Sequence, residues 1–462
     1  MVLIKFLSLL LLLPSLIVTK KLIKKQDLNF FDLLILFNTL YFVLIPLKSS
    51  QEVFNTLGII SQSTSLFVFF YLLFFFICLL IGSNLIKSKN RSPINITYCL
   101  KKFPYLQVGI PFKLFLVALP IFSLIYYIPQ MSVISAFEVV SQSGKNISYE
   151  QSSMIKFFST VFRLGLIITL ILFFQDLTKK KIDKFILVSL SLFLVNLLML
   201  SRRQLLVFLL FTALIFYSNN RELINRKVLI YITGFCTFLY FVYFPFYNII
   251  RHSPIIFTAN SPITSIKSIY DYGIRSFEDN NKSASQSVDT RALGLYRSLY
   301  KLAEIDSDTD ITWGAITLSA IDHAIPKVIN PGKGSGSELL LQNRLHTNKD
   351  SADSILLIAL ADYSILGSII TALIFFVVYK ILYSLYFISE SIFGKISLGS
   401  FYLIFFLFQI SFGAEQKLDG VLANVIAYAI ILIVIVILYK INLISSVYEE
   451  SKYDREIRIE DL

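Results

Sequence analysis

The stretch that decides the fold is SLFVFFYLLFFFICLLIGSNLI, residues 65–86, which runs for 22 residues without a charged side chain. A helix needs about 20 apolar residues to cross the hydrocarbon core of a bilayer. A soluble helix of this length would instead keep a polar face toward water. Residues 65–86 therefore predict a transmembrane helix, and similar stretches recur toward both ends of the chain.

The composition of the whole chain agrees with a membrane protein. Of the 462 residues, 56% are hydrophobic and 16% are charged, and the mean hydropathy is +0.71. Soluble domains carry about 25% charged residues. A chain of 52.9 kDa could not bury so much apolar surface in ordinary cores. These values exclude a soluble enzyme, a secreted domain, a fibrous protein and a disordered chain.

Eleven apolar stretches are candidate spans, and a count of 12 stays open. They are residues 2–19, 29–46, 65–86, 111–128, 157–174, 185–200, 205–217, 228–250, 355–379, 397–414 and 421–439. The predicted fold is an all-α polytopic membrane protein with one large extracytoplasmic loop. Its predicted parts are residues 1–250 with spans one to eight, the large loop 251–354, residues 355–439 with spans nine to eleven, and a tail at 440–462.

The distribution of Lys and Arg predicts the orientation. One set of alternating loops holds 23 Lys and Arg, and the opposite set of short loops holds 6. Cytoplasmic loops carry the excess of positive charge, and long loops do not count in this rule. The N-terminus is therefore predicted outside the cell membrane and the C-terminus in the cytoplasm. The net charge of +12 then indicates membrane orientation rather than nucleic-acid binding.

Arg163 is the clearest ionisable residue inside a predicted span. It lies about six residues from the outer end of span five, roughly 9 Å deep at the helical rise of 1.5 Å per residue. A charge at this depth is costly, which points to a functional role in a polar outer cavity. The alternative is that its long side chain simply reaches the outer headgroups.

Arg202 and Arg203 form the second exception, because they lie in the short connection between spans six and seven. This connection is predicted outside, against the orientation rule, so a role as a simple flanking charge is less convincing. Guanidinium groups bind phosphate oxygens in a planar, bidentate way. The predicted outer segments are also richer in Arg relative to Lys than the cytoplasmic ones, which fits a phosphate or diphosphate ligand.

The large loop contains a predicted helix at residues 289–303. Leucines recur on one face at helical spacing, Arg297 and Lys301 lie on the opposite face, and Arg291 lies at the edge of the apolar stripe. This pattern is typical of a helix lying on a membrane surface with its apolar face down. The alternative is an ordinary loop helix with a solvated charged face. The loop has nearly balanced charge, which argues against a nucleic-acid patch.

Candidate catalytic bases are few. The three histidines all lie in the large loop, and none pair with metal-ligand spacing; they are His252, His323 and His346. Carboxylates near the outer ends of spans are Asp350, Asp353, Glu415 and Asp419. The chain has no CxxC, HExxH, GxGxxG or P-loop motif, so no metal or other cofactor is predicted.

Three short motifs carry a resemblance to a known family. They are Leu200-Ser201-Arg202-Arg203 opening an apolar span, Arg251 directly after span eight, and Asp350-Ser351-Ala352-Asp353-Ser354 followed by Ala361-Asp362-Tyr363-Ser364-Ile365-Leu366-Gly367. With many spans and one large late outer loop, the chain resembles the bacterial Wzy-type polymerases of O-antigen and capsule repeat units. These polymerases are in turn similar to O-antigen ligases. The ligase branch carries a His shortly before the late span, where this chain has Asn348-Lys349-Asp350-Ser351.

The resemblance implies glycosyl transfer on the outer face of the bacterial inner membrane. The donor would be a glycan on undecaprenyl diphosphate, the acceptor a lipid-linked repeat unit, and undecaprenyl diphosphate the leaving group. A chain-length regulator is a candidate protein partner, and membrane lipid is a further one. Fixed guanidiniums would stabilise the charge that develops on the leaving group.

The residues expected to act in this reaction are therefore mostly arginines. Those expected to hold the diphosphate are Arg202, Arg203, Arg251 and Arg291, followed by Arg163 and Arg297. The catalytic set is Arg202, Arg203 and Arg291, with Asp353 and Glu415 as candidate bases. Two other functions stay open, an O-antigen ligase and a flippase or other transporter of lipid-linked oligosaccharides. A transporter would show internal repeats and midplane charges, whereas this sequence shows no internal repeat and few midplane charges.

Overall fold

The computed structural model describes the chain in separate stretches. They are residues 2–24, 28–48, 62–87, 106–124, 149–178, 183–200, 205, 207–212, 215, 284–305, 311–325, 330, 332, 336–345, 354–393, 398–411, 417–441 and 444–446. Helix accounts for 91% of these residues. The predicted span at 228–250 lies outside the described residues.

The elements are numbered in chain order. The N-terminal helices are α1 (Val2–Leu10), α2 (Leu12–Ile23), α3 (Phe30–Thr39, continued by the π-helical Leu40–Leu44), α4 (Ile45–Lys48) and α5 (Gln62–Lys87). Next come β1 (Leu106–Val108), α6 (Ile110–Phe122), α7 (Tyr149–Thr178), α8 (Lys184–Leu200), α9 (Ala284–Ile305), α10 (Ala315–Ala324) and α11 (Ser337–Arg344). The last are α12 (Ile355–Tyr363, followed by the 3-10 turn Ser364–Leu366), α13 (Gly367–Phe393), α14 (Leu398–Ser411), α15 (Leu418–Lys440) and β2 (Ile444–Ser446).

The described helices are those of a membrane-embedded protein. Within the described stretches, four helical segments are long and apolar enough to cross a bilayer: Leu3–Lys21, Gln62–Ile86, Ile355–Ile388 and Leu418–Lys440. Shorter apolar helices occupy Phe30–Leu44, Ile110–Phe122, Lys184–Leu197 and Phe401–Ser411. The apolar stretch at residues 65–86 forms most of α5, as the sequence predicted.

Two compact units make up the chain. The first unit comprises residues 1–98, 273–385 and 404–428, and the second comprises 99–272, 386–403 and 429–462.

Rows of exposed apolar side chains mark the lipid-facing sides of two helices in the first unit. On α5 the row is Leu66, Phe70, Phe74, Ile77, Ile81 and Leu85, and each residue is 39–58% exposed. This row covers about 28 Å at 1.5 Å per residue, close to the roughly 30 Å thickness of the hydrocarbon core. A second row runs along α13 through Leu366, Ile369, Leu373, Val377 and Ile381.

A buried ion pair lies at one end of the first unit. The Lys21 ammonium donates to Asp32 Oδ1 at 2.6 Å and to the Ser83 hydroxyl at 2.9 Å. Asn29 caps α3 and donates through its amide to the Ser83 carbonyl at 3.0 Å. Asp32 completes the capping box, so the charge is fully hydrogen-bonded in the interior. We call this the Lys21 end.

The second unit has a similar charged end. The Lys113 ammonium donates to Asp183 Oδ2 at 2.6 Å, and the Asp183 N–H donates to Asp176 Oδ2 at 2.9 Å. These contacts join the start of α6, the end of α7 and the start of α8. The Lys113 ammonium lowers the pKa of the Asp183 carboxyl, chiefly through this hydrogen bond. At the same end β1 pairs antiparallel with β2, Leu106 opposite Ser446. We call this the Lys113 end.

Pro120 interrupts the hydrogen-bond ladder of α6, and neighbouring helices compensate. Pro lacks an N–H, so the Leu116 carbonyl four residues earlier loses its helical donor. The Ser189 hydroxyl of α8 donates to this carbonyl at 2.8 Å, and Thr169 of α7 lies 3.3 Å from Ser189. Asn196 donates to the Pro120 carbonyl at 3.0 Å. These polar contacts fix the register of α6, α7 and α8.

Candidate functional site

The helix predicted at 289–303 is present as α9, and it packs on the protein. Leu295 and Leu299 are fully buried and Leu302 is 2% exposed. The helix packs against α5, α4 and α12. The interpretation of α9 as a helix with its apolar face in the membrane surface is therefore wrong. It is a loop helix with its apolar face on the bundle, and Arg297 lies exposed on its outer side.

Two tyrosines of α9 form hydrogen bonds to helices α1 and α5. Tyr296 hydrogen-bonds to Ser8, and Tyr300 hydrogen-bonds to Ser65. Their hydroxyls lie 3.2 Å apart and their rings 4.9 Å apart. Burial raises the pKa of Tyr296 well above its usual range and that of Tyr300 to about 12. Both phenols are therefore neutral hydrogen-bonding groups at physiological pH.

The position of Tyr300 shows that α9 lies far from the Lys21 end. Its partner Ser65 is in the first turn of α5, and Ser83, which bonds Lys21, is in the last turns of the same helix. Eighteen residues of helix separate them, about 27 Å at 1.5 Å per residue. The large-loop helix and the Lys21–Asp32 pair therefore occupy opposite ends of the first unit. We call the end with α9 the loop end.

Asp362 is the most heavily hydrogen-bonded carboxylate of the loop end. It is fully buried, and its oxygens accept from the Thr312 hydroxyl at 2.6 Å, the Ile316 N–H at 3.1 Å, and the Thr317 N–H and hydroxyl at 2.7 and 2.6 Å. These donors include two backbone N–H groups in the first turn of α10. A carboxylate at a helix N-terminus satisfies unpaired donors and favourably meets the positive end of the dipole. Asp362 therefore caps α10 from another helix.

The chain bends sharply just after Asp362. Tyr363 ends α12, Ser364 has φ 52°, and a 3-10 turn leads to Gly367. A Cβ on Gly367 would lie 2.1 Å from the Ala359 carbonyl oxygen, so the backbone turns back against α12. Ile355 to Asp362 are each at most 3% exposed, enclosed by α9, α10 and α11. The apolar segment predicted at 355–379 is a candidate span, and within it the chain forms two helices, the short buried α12 and the long α13.

Arg163 lies in the second unit on α7. Phe162 and Leu164 beside it are buried, its own side chain is partly buried, and it interacts electrostatically with Tyr402. Its Nε is buried and makes no hydrogen bond among the residues that the structure describes. Gly165, two residues on, allows close packing, since a Cβ there would lie 2.7 Å from Leu119 Cδ2.

Arg163 lies toward the end of the second unit opposite Lys113. From Asp176, which meets Asp183 at the Lys113 end, α7 runs back 13 residues to Arg163, about 20 Å. The far end also holds buried polar atoms without a hydrogen bond in the described part, Ser123 Oγ and Asn196 Oδ1. The Asn196 amide and the Ser123 N–H share the Pro120 carbonyl as acceptor. This end of α6, α7 and α8 therefore holds buried polar groups in addition to the Arg163 guanidinium.

Most of the arginines and acids that the sequence singled out cannot be placed. Those outside the described residues are Arg202, Arg203, Arg251, Asp350, Asp353, Glu415, His252 and His346. Arg291 is in α9, but its side chain is outside the description. Lys301 donates to the Leu345 carbonyl and ties α9 to α11. His323, in the last turn of α10, approaches Gly336 at the start of α11.

Two buried acids, Asp32 and Asp362, were missed as candidates although the sequence contained their signal. Both lie inside predicted apolar spans, so the rule that selected Arg163 applies to them equally. Among the described residues, no group of three or more His, Cys, Asp or Glu is arranged to hold a metal ion.

Comparisons with protein-family models, with curated proteins and with solved structures each found no match to this chain. The function proposed below therefore depends on the chain's own residues and geometry and on the resemblance in sequence.

Proposed function

We propose that the protein is a membrane-embedded glycosyltransferase that joins lipid-linked oligosaccharide repeat units at the outer face of the bacterial inner membrane. The growing glycan is carried on undecaprenyl diphosphate. The acceptor is a single repeat unit on the same kind of carrier. No nucleotide is needed, since the diphosphate leaving group supplies the driving force.

The observation that carries the proposal is the partly buried guanidinium of Arg163, toward the end of its bundle opposite Lys113. The Arg163 Nε–H makes no hydrogen bond within the described stretches, and a guanidinium donor in a site of reduced dielectric suits a phosphate oxygen. Such a donor stabilises charge that develops in the transition state more than it stabilises the substrate. In the sequence, Arg202 and Arg203 follow shortly after Leu200, the last residue of α8.

The proposed topology has eleven spans, the N-terminus outside and the C-terminus in the cytoplasm. It is supported by the described helix ends. The helix ends that lead into loops with the excess of Lys and Arg lie at the Lys21 end in one unit and at the Lys113 end in the other. The helices of the large loop lie at the opposite end of the first unit. Within each unit taken by itself, this arrangement agrees with loops that alternate between its two ends.

The proposed reaction is one displacement at the anomeric carbon of the donor glycan. An acceptor hydroxyl oxygen forms the new C–O bond and loses its proton to a base, for which Asp353 and Glu415 are the candidates. The bond from the anomeric carbon to the diphosphate oxygen breaks, and undecaprenyl diphosphate leaves with the electron pair. Arg163, Arg202, Arg203, Arg251 and Arg291 are the proposed contacts of the diphosphate, with Arg297 as a further one.

Glycan length in a deletion strain distinguishes the candidate functions. Loss of a polymerase leaves single repeat units on the surface lipid, which is the expected result. Loss of a ligase leaves full-length glycan on the carrier. Loss of a flippase leaves single units inside the cell. Either of the last two patterns would contradict the proposal.

A complementation series then tests Arg163. Arg163→Lys keeps the positive charge but removes the planar fork, so we expect much shorter polymer at normal protein level. Arg163→Gln is expected to lose polymer, since removing one such donor typically costs about 10²–10³ in rate. Lys184→Gln is the matched control, because Lys184 is an exposed cation at the Lys113 end. Full-length polymer in Arg163→Gln would remove Arg163 from the site.

A further inference from the structure

In residues 311–324 the most exposed side chains are apolar, the reverse of what is expected for a segment that faces water. The exposed side chains are Trp313 at 77%, Leu318 at 66% and Ile321 at 41%, together with Ala315. The hydroxyl of Thr317 instead turns inward to Asp362. Helices at a protein–water boundary place their apolar residues inward and polar residues outward. The outward face of this segment is therefore made for an apolar environment.

The exposed residues of α10 lie on one side of the helix, together with the partly exposed Asp322, whose carboxylate accepts a hydrogen bond from the Asn330 amide. Ala315, Leu318 and Ile321 are spaced by three, so they lie on the same side of the helix. Trp313 precedes them at the helix start. We call Trp313, Ala315, Leu318 and Ile321 the outward face of α10.

The outward face of α10 begins beside the first residue of the lipid-facing row on α13. The Trp313 N–H donates to the Asp362 carbonyl at 3.1 Å, which places Trp313 beside the bend between α12 and α13. Leu366, in that bend, is 60% exposed and is the first residue of the apolar row that continues along α13. The aliphatic outward face thus lies at the level where the hydrocarbon-facing surface of α13 starts.

The backbone holds Trp313 outward. Its φ of 48° is in the left-handed region, which bulky residues rarely adopt, and Gly314 follows with φ 92°. The Thr312 hydroxyl and the Trp313 N–H both bond Asp362, so the hydrogen bonds of a buried carboxylate residue stabilise this conformation. These hydrogen bonds therefore fix the backbone at Trp313 in a conformation in which the side chain is exposed.

We propose that α10 lies in the headgroup region of the bilayer at the loop end, with its outward face toward the acyl chains and Trp313 as the interfacial anchor. Trp has a large apolar ring and an N–H donor, and it is enriched at membrane–water interfaces. A sugar-stacking platform would surround the ring with hydrogen-bonding side chains, whereas here the exposed neighbours are aliphatic. The inference holds whichever reaction the protein catalyses.

Trp313 is the only tryptophan of the chain, so its fluorescence reports on this position directly. The full-length protein is placed in lipid nanodiscs, in which both faces are open to buffer. Lipids brominated near the carbonyl end or near the methyl end of the acyl chain serve as quenchers, and iodide serves as the aqueous quencher. We expect the shallow bromines to quench most of the emission, the deep bromines to quench less, and iodide to quench little.

Two variants calibrate the depth scale. Trp313→Phe with Val377→Trp moves the probe onto the lipid-facing row of α13, about 16 Å along the helix from Leu366, and should respond most to deep bromines. Trp313→Phe with Arg297→Trp puts it on the exposed side of α9 and should respond to iodide. Strong iodide quenching of Trp313 without bromine quenching would overturn the proposal, since the face would then contact water or a soluble glycan. Quenching by neither reagent would overturn it as well, because the face would then be covered by protein.

Discussion

Thr317 donates to Asp362 twice, through its backbone N–H at 2.7 Å and its hydroxyl at 2.6 Å. The two residues are 45 positions apart, on either side of the segment that joins α10 to α12. Because Asp362 is fully buried, this contact ties a helix of the large loop to the start of the last group of spans. The described part of the large loop is therefore attached to α12 at a defined point.

Replacing Asp362 should release α10. Asp362→Ala leaves two backbone N–H groups and the Thr317 hydroxyl without their acceptor, and it leaves the Thr312 hydroxyl with the Ala361 carbonyl alone. We expect a loss of about 3 kcal/mol or more in stability. Thermal unfolding in detergent, followed by Trp313 fluorescence, measures it. Asp419→Asn is the control, because that carboxylate accepts from the N–H of the next residue at a helix start. Equal unfolding temperatures for Asp362→Ala and the wild type would contradict the assignment.

Gly367 should tolerate no side chain. The Cβ of Gly367→Ala would meet the Ala359 carbonyl oxygen at 2.1 Å, so the turn between α12 and α13 must open. We expect poor expression or a large drop in unfolding temperature. Gly294→Ala on α9 is the matched control, because a Cβ there meets nothing within 4 Å, and Ala favours a helix by up to about 1 kcal/mol. A normal Gly367→Ala protein would show that the bend is not as tight as described.

Lys21 and Asp32 should depend strongly on each other. The pair is buried and 2.6 Å apart, so Lys21→Met alone leaves an uncompensated carboxylate and should cost about 3–5 kcal/mol. The double variant Lys21→Met with Asp32→Leu removes both charges and should be considerably more stable than either single variant. Denaturation of the four proteins in a double-mutant cycle gives the coupling. Additive losses would mean that the two charges do not interact.

Acid should weaken the Lys113 end. The pKa of Asp183 is lowered in the folded state, so its stabilisation is present above the pKa of the unfolded state, near 4, and is lost as pH falls through the lower folded pKa. Because the pair is partly exposed, we expect less than about 1 kcal/mol. In Asp183→Asn, the free energy of unfolding should fall less between about pH 5 and about pH 2, roughly the range in which such carboxyls titrate, than it does in the wild type. An identical pH profile for the variant would contradict the role of the pair.

The sequence predicted where helices form, but it did not predict where the chain changes direction between them. Residues 421–439 form α15 and residues 289–303 form α9, because a long apolar run or a helical stripe is a local property. The sequence did not predict the bend at Ser364–Gly367, because residues 355–379 are apolar on average and average hydropathy carries no information on the direction of the chain. The small residues Ser364 and Gly367 inside that apolar run were the available signal.

The candidate site was only partly accessible to the same reasoning. A charged side chain is costly to place in a membrane, so an ionisable residue inside a predicted span is a candidate for function. This reasoning identified Arg163. The same rule applied to Asp32 and Asp362 would have found both, yet not their partners, since Ser83 and Thr317 are 51 and 45 residues away. Partners at such separations follow from tertiary packing rather than from spacing along the chain.

Labelling from outside the cell tests the central claim, that the large-loop helices face away from the cytoplasm. In a chain with Cys78, Cys99 and Cys236 replaced by Ser, single cysteines are introduced as Asn343→Cys, exposed on α11, and Lys184→Cys, exposed at the Lys113 end. With a membrane-impermeant maleimide on spheroplasts, Asn343→Cys should react at once and Lys184→Cys only after the membrane is permeabilised. The reverse pattern, or reaction of both from the same side, would contradict the account.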